Sequence, residues 1–273
     1  MESFDYILKL ANIRDGLLQR EDYPEPSWIR ITTITMCSSF NEKIDLVKFR
    51  ESFEKSGTIR TRNLGSKFDG HAWNISEPKK SKNGNFYNCL AIWFKDFYSS
   101  KNVKLFPNGS IQVAGCANLF DCWLVLKHVQ CVVKTVLGLE KELEFAQPQI
   151  AMINTNFSLN CQVNIKRVIG KFKSDPKFNV SFNPDKYAAV KVKFKPEEGM
   201  KQVTASIFST GKVIVTGAQT LDEIVMAYKT INDVFGDRGL FGDVRAAKLE
   251  TFDTFMGAKF AEWVRVLKEK NRV

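Results

Sequence analysis

Apolar and polar positions along the chain follow two periods, and the switch between them marks the elements. Over residues 1–20, Phe4, Ile7, Leu8, Leu10, Ile13, Leu17 and Leu18 recur at helical spacing. The stretch YPEPS (23–27) ends that helix, because proline disfavours helical backbone at the residue before it. IRITTITM (29–36) alternates and predicts a strand; IDLVKFRESFEK (44–55) predicts a helix. FYNCLAIWF (86–94), NVKLF (102–106) and SIQVAG (110–115) predict strands, and LFDCWLVLKHVQCVVKTVL (119–137) a long apolar helix. The order then recurs. QIAMINTNF (149–157) predicts a strand and NIKRVIGKF (164–172) a helix. YAAVKVKF, TASIF and KVIVTG predict strands, and LDEIVMAYKTINDVF (221–235) a helix. Beyond Gly239, the residues Leu249, Phe252, Phe255, Met256, Phe260, Trp263, Val264 and Leu267 return to helical spacing. This tail is expected to pack on its own domain rather than on a partner.

The recurrence is an internal repeat. At an offset of 102, LFPNGSIQVAGCA (105–117) falls on IFSTGKVIVTGAQ (207–219), pairing Phe106 with Phe208, Gly109 with Gly211, Val113 with Val215 and Gly115 with Gly217. Upstream, IDLVKF (44–49) matches VNIKRV (163–168) at an offset of 119, so the first copy carries 17 extra residues. The polar stretch EPKKSKNGN (77–85) is expected to hold part of them in a loop. Each copy reads β-α-β-β-β-β-α if a further short strand lies near 58–64 or 178–182. The implied class is α+β with antiparallel pairing. The expected organisation is an N-terminal helical extension (1–27), repeat one (28–140, with the insertion near 66–85), repeat two (147–236) and a C-terminal helical extension (237–273).

Period two gives every strand an inner and an outer face. Ile153, Phe157 and Leu159 point inward, as do Val213 and Val215; Ala188, Val190, Val192 and Phe194; Ile111 and Val113; and Ile34 and Met36. The outer set is Met152, Asn154, Asn156 and Ser158; Ile214 and Thr216; Tyr187, Ala189, Lys191 and Lys193; Gln112 and Ala114; and Ile31, Thr33 and Thr35. Such a face is neither charged nor plainly apolar. Asn and Thr suit hydrogen bonding to minor-groove acceptors, and small apolar side chains suit contact with a widened groove floor. Phe106 and Phe208, at the mouths of the two turns, are placed to wedge between base steps.

Charge agrees with that chemistry. The net charge is +10 with pI near 9.2, which favours a polyanionic partner. Six cysteines show no CxxC pair and only two histidines accompany them, so no metal site is expected and the cysteines are read as small buried residues in a reducing compartment. No cofactor-cradling glycine loop, nucleophile motif or paired carboxylates suggest an enzyme. The start MESFDYILKL lacks the apolar block of a signal peptide, and no apolar run reaches membrane-spanning length, so an intracellular protein with no membrane partner is expected.

The stretch IFSTGKVIVTGA (207–218) closely resembles the signature of the TATA-box-binding protein (TBP) family, and NPDKYAAV (183–190) resembles that family's partner turn. FYN (86–88) and KLFPNGSIQVAGC (104–116) are similar to the diverged first repeat of TBP-like proteins from large nucleocytoplasmic DNA viruses. The resemblance covers about 28–236. It implies a saddle of two pseudo-symmetric antiparallel repeats with helices on the convex face. It implies a transcription initiation factor that binds and bends promoter DNA and recruits a transcription factor IIB-like protein and RNA polymerase. The setting implied is a host nucleus or a cytoplasmic viral factory. The alternative is a protein–protein module that keeps the fold without bending DNA. By position the wedge pairs are Phe208 with Tyr187 and Phe106 with Tyr87, Phe86 being the alternative to Tyr87. The resemblance sets Asn154, Ile214 and Thr216 on the groove floor, where Asn156, Ala189, Thr33, Thr35, Gln112 and Ala114 join them from the outer-face pattern. It sets Lys193 and Lys212 near phosphates, with Lys191 beside them. Departures from the family pattern are Tyr at both first wedge positions, Lys104 and Ser206 at leucine positions, and Met152 and Ile29 where a pair of asparagines is expected.

Overall fold

The computed structural model describes residues 2–21, 23–55, 66–68, 71–76, 89–95, 100–116, 119–236 and 238–244. In chain order the elements are α1 (Glu2–Leu18), β1 (Arg30–Ser39), α2 (Leu46–Lys55), β2 (Ser66–Phe68), β3 (His71–Ser76), β4 (Leu90–Lys95), β5 (Ser100–Leu105), β6 (Ser110–Cys116) and α3 (Leu119–Leu137). They continue with β7 (Gln149–Ser158), β8 (Cys161–Val163), α4 (Ile165–Lys173), β9 (Asn179–Asn183), β10 (Tyr187–Phe194), β11 (Val203–Phe208), β12 (Lys212–Ala218), α5 (Leu221–Val234) and β13 (Phe241–Val244). Two compact units divide the chain, one of residues 31–153 and one of 1–30 with 154–273.

Within the first repeat the strand order is β2-β3-β4-β5-β6-β1, and within the second it is β7-β12-β11-β10-β9, with antiparallel pairing. Amphipathic helices cover one face of each. Phe49 and Phe53 on α2 and their equivalents Val168 and Phe172 on α4 are fully buried, as the 119 offset requires. Asp45 accepts hydrogen bonds from the N–H groups of Val47 and Lys48 (3.1 and 3.0 Å), and Asn164, at the same offset, caps α4 by accepting from Arg167 N–H (3.2 Å).

Register locates the first repeat's extra residues. Asn74 pairs with Trp93, and Asn179 pairs with Lys193, so β3 is the counterpart of β9 at an offset of 105. Leu90 pairs with Leu105 and Val190 with Ile207, an offset of 100 for β4 and β10. The fall from 119 to 105 puts 14 extra residues between α2 and β3, where β2 lies. The expected strand near 178–182 is β9. Its companion near 58–64, the candidate wedge residues Phe86 and Tyr87, and the tail beyond 244 lie outside the described residues.

Three expected exposures need correction. Ala188 is exposed rather than inward, and Ala189 is buried, with 1% of its surface accessible. The cause is local: the β9–β10 register shifts between Tyr187 and Lys191, and Ala189 lies opposite the large ring of Phe208. Thr35 is also buried, because the β1–β6 register shifts between Ile34 and Thr35, and three consecutive residues, 34–36, are covered there. A bulge breaks the period-two rule. The cysteines also divide: Cys89, Cys116, Cys122 and Cys161 are buried, whereas Cys37 and Cys131 are exposed.

Candidate nucleic-acid interface

Each repeat builds the same aromatic turn. Phe208 ends β11, and Gly211 N–H donates to its carbonyl at 2.9 Å; Phe106 follows β5, and Gly109 N–H donates to its carbonyl at 3.0 Å. Both turns are pinned to the chain that follows the long strand of their own repeat. Phe40 N–H donates to Gly109 O and Ile44 N–H to Pro107 O (2.9 and 3.0 Å); Leu159 N–H donates to Gly211 O and Val163 N–H to Ser209 O (2.9 Å each). The glycines follow from this clamp. Both take positive φ, 84° at Gly109 and 80° at Gly211, and a Cβ there would lie 2.3 Å from Glu42 O or 2.0 Å from Cys161 O. The repeated Phe-x-x-Gly is thus a device that fixes an aromatic ring at the rim of the sheet.

In the second repeat the ring has a partner. Phe208 and Tyr187 meet edge to face, with centroids 5.6 Å apart and planes at 70°. Lys191 holds its ammonium 4.9 Å from the Tyr187 ring centre. Tyr187 is 39% exposed and Phe208 half-buried, while Ala189 is covered between them. Ala189 therefore offers no accessible floor, unlike its expected role. Phe106 is half-buried in the first repeat.

Cross-strand pairs share a face, so the register can be followed sideways in rows. In the second repeat one row is Asn179–Lys193–Thr204–Thr216, and the next is Ser181–Lys191–Ser206–Ile214. The first repeat writes the equivalent rows as Asn74–Trp93–Asn102–Ala114–Thr35 and Ser76–Ala91–Lys104–Gln112–Cys37. Asn154, Asn156, Ile214, Thr216, Thr33, Gln112 and Ala114 are all half-buried, and Lys191, Lys193 and Lys212 are exposed. Thr35 keeps its place on the outer row opposite Ala114 but is 5% exposed. Lys193 and Lys212 have no carboxylate partner among the described residues.

Two features went unnoticed in the sequence. Trp93 stands on the outer row where the second repeat has Lys193, and it is 49% exposed. Leu90 and Ile92 are buried on the opposite face of the same strand, which turns Trp93 outward. The other is a charge asymmetry. The eleven strands β1–β7 and β9–β12 hold eight Lys or Arg residues and no Asp or Glu, although the chain has 30 acidic residues. Counting acids strand by strand would have found it. A sheet without carboxylates presents no repulsion to a phosphate backbone, and Lys191 and Lys193 stand within rows of small polar groups.

Residues 147–237 match the family described as transcription factor TFIID (or TATA-binding protein, TBP). The chain is similar to the TATA-box-binding protein-like protein of Acanthamoeba polyphaga mimivirus, at 27% identity over 240 residues, 76% of this chain. It spans 64% of that relative's length. It is also similar to the TATA-box-binding protein of Tetrahymena thermophila, at 26% identity over 129 residues, covering 47% of this chain and 46% of that one. Among solved structures, Methanococcus jannaschii TBP shares the fold, with a TM-score of 0.50 at 14% identity over 76% of this chain and 97% of that one. No helix among the described residues is long and apolar enough to cross a membrane.

Proposed function

We propose that the chain is a member of the TATA-binding-protein family, a reading supported by the match over 147–237 and the likeness to the mimivirus protein, and that it is a transcription initiation factor that binds duplex DNA through the minor groove and bends it. The observation that carries this reading is the pair of acid-free outer faces, each with an aromatic ring fixed at a clamped turn. Asn154, Asn156, Ile214, Thr216, Thr33, Gln112 and Ala114 form the groove floor, with hydrogen-bonding and small apolar groups suited to a degenerate acceptor pattern. Lys191, Lys193 and Lys212 meet phosphates. Phe208 with Tyr187, and Phe106 in the first repeat, enter between base steps. A·T-rich or flexible steps are preferred because they open most readily. A transcription factor IIB-like protein and RNA polymerase are the partners, and the site of action is wherever that transcription occurs, nucleus or viral factory. The protein's work is binding, not catalysis. The names of the viral and ciliate relatives support this assignment.

Anisotropy titrations on A·T-rich duplex DNA test it. Each phosphate-contacting lysine replaced by Ala flattens the log–log salt dependence by about 0.9, so the three together by about 2.7. Energy transfer between dyes at the duplex ends reads the bend, which Phe208→Ala abolishes while circular dichroism shows an intact fold. No duplex binding at about 50 mM salt sinks the DNA reading and leaves the protein–protein module. Binding without bending removes the wedge assignment alone.

A further inference from the structure

We propose that the exposed face of α4 is a second phosphate-backbone site, which holds a further segment of duplex DNA on the side of the second repeat's sheet opposite the candidate interface. The site is read from α4 itself and does not rest on minor-groove binding; only the choice of DNA over RNA does.

α4 turns Val168 and Phe172 into the core, both fully buried. Helical spacing sends Lys166, Arg167, Gly170, Lys171 and Lys173 the other way, and all five are exposed. Four of them are cations, and no Asp or Glu occurs between Glu144 and Asp175. Asp175 itself is taken by Lys177 at 3.2 Å. Lys166 and Lys173 have no carboxylate partner among the described residues. Elsewhere in the same unit surface charges are matched: α1 lies along α5, with Lys9 against Asp222 and Arg20 against Asp233, and Lys229 joins Asp233.

Three local choices on this face work against the helix. Lys166 and Arg167 stand in the first turn, where the helix dipole favours acids and none is present. Arg167 and Lys171 are like charges one turn apart, a repulsion offset only in part by the bond from Arg167 to Gly239 O at 2.9 Å. Gly170 sits in mid-helix, where Ala is more favourable. Its φ is not positive, and a Cβ there would meet nothing within 4 Å, so the fold has no need of a glycine. What Gly170 provides is a bare stretch of helix between two pairs of cations, Lys166 with Lys173 and Arg167 with Lys171. Local rules broken together without an internal gain mark a functional surface.

The first repeat supplies the contrast. At the offset of 119 the same five positions on α2 are Val47, Lys48, Glu51, Ser52 and Glu54, one cation with two acids. A cationic face is therefore not a general property of the covering helices. Charge and shape select the occupant. None of the five exposed positions on α4 is apolar, so the face offers no anchor to a protein partner. From Lys166 to Lys173 the helix rises about 10 Å, the axial length of about three phosphates on one strand of a duplex. With DNA also on the outer face of the sheet, one chain joins two segments.

The test uses the full chain and a labelled duplex of about 12 base pairs at about 50 mM salt, with the mass of the complex read by sedimentation equilibrium. One chain is expected to take two duplexes. Lys166→Ala with Lys173→Ala weakens one of the two events about tenfold, flattens its log–log salt dependence by about 1.8, and leaves the other event unchanged. Gly170→Glu, which writes in the residue of the first repeat, weakens the same event about tenfold while raising the melting temperature followed by circular dichroism, so misfolding does not explain the loss. Ala at Lys191, Lys193 and Lys212 weakens the other event alone. A single event that responds to the α4 variants and not to those three lysines supports this site and removes the minor-groove reading. Any of the following overturns the inference: a single event that ignores the α4 variants; two events that both survive them; or an RNA duplex or polyglutamate that displaces the DNA from the α4 site at equal charge.

Discussion

One position in the two repeats carries a carboxylate put to different uses. In the first repeat Asp121, in the first turn of α3, faces Lys101 Nζ at 2.9 Å, and Lys101 is fully buried on β5. At the offset of 102 the second repeat has Glu223 on α5 and Val203 on β11. Glu223 meets no buried cation. It accepts from the backbone N–H groups of Gln219 (2.6 Å), Lys201 (2.8 Å) and Thr220 (3.2 Å), and its own N–H donates to Thr220 Oγ1 at 3.2 Å, completing a capping box. Where the longer acid satisfies backbone donors, the strand is free to bury a valine. Where the shorter acid stands, a lysine reaches in from the strand. The second arrangement is the costlier to assemble, because two charges leave water for one attraction. The repeat that matches the family, 147–237, is the one with the backbone solution.

The largest effect comes from breaking the ion pair of the first repeat. Asp121→Ala removes the carboxylate 2.9 Å from a fully buried ammonium and is expected to cost about 3–5 kcal/mol in denaturant unfolding. Rewriting the first repeat after the second, with Lys101→Val added to Asp121→Ala, recovers most of that loss. If the single and double variants are equally unstable, Lys101 was not held by Asp121, and the comparison between repeats fails at this position.

The clamped turns are the place where the repeats agree, and they predict matched losses. Gly109→Ala and Gly211→Ala each force a side chain into the left-handed region, at about 1–3 kcal/mol. Each also drives a Cβ toward a carbonyl oxygen, at 2.3 Å in one and 2.0 Å in the other. Thermal melts are expected to rank Gly211→Ala as the worse of two similar losses. A harmless substitution at either position would show that its turn is not pinned as drawn.

These turns were also the most legible part of the sequence. The recurrence of Phe, Gly and alternating residues at one offset located both hairpins and the α+β repeat, because each identity answers to a local backbone demand. Period two then placed Asn154, Asn156, Ile214, Thr216, Gln112 and Ala114 on the outer face. It misjudged the exposure of Ala188, Ala189 and Thr35, which lie at register shifts, with Ala189 also covered by the aromatic rings beside it. Residue type alone does not announce such a shift. Nor did it reveal the burial of Lys101, a residue that by composition belongs at the surface, or the docking of α1 on α5, which depends on pairs 213 residues apart.

Glu223 itself gives a smaller effect with a pH signature. Burial pushes its carboxyl up, but the N–H groups of Gln219, Lys201 and Thr220, with the charge of Lys201, outweigh that and hold it below the ordinary carboxylate range. A carboxyl lowered by folding stabilises the fold fully above its unfolded range, and that contribution is lost as pH falls through the lower folded value. Glu223→Gln is expected to cost about 1–2 kcal/mol at neutral pH. Its deficit narrows under acid, once the parent's Glu223 is protonated. A deficit that is the same at both pH values would assign the loss to shape rather than charge.

The smallest predicted effect returns to the aromatic rims. Both repeats keep Phe at the clamped turn, and the second repeat pairs its Phe208 with Tyr187 rather than a second Phe. The ring contact at 5.6 Å and the ammonium of Lys191 at 4.9 Å need only the aromatic face, so Tyr187→Phe leaves both in place. Stability is expected to be unchanged, since Tyr187 is 39% exposed and its hydroxyl has no hydrogen-bond partner among the described residues. In a base stack that hydroxyl loses water without gaining a partner, a cost of about 1 kcal/mol at the low end for a stranded polar group. Tyr187→Phe should therefore tighten binding to an A·T-rich duplex about fivefold and leave its salt dependence untouched, because no phosphate contact changes. The reverse change at the partner, Phe208→Tyr, should weaken binding by a similar factor. If Tyr187→Phe weakens binding instead, the hydroxyl is hydrogen-bonded to a groove acceptor, and Tyr187 is a reader of the floor, leaving Phe208 to wedge alone.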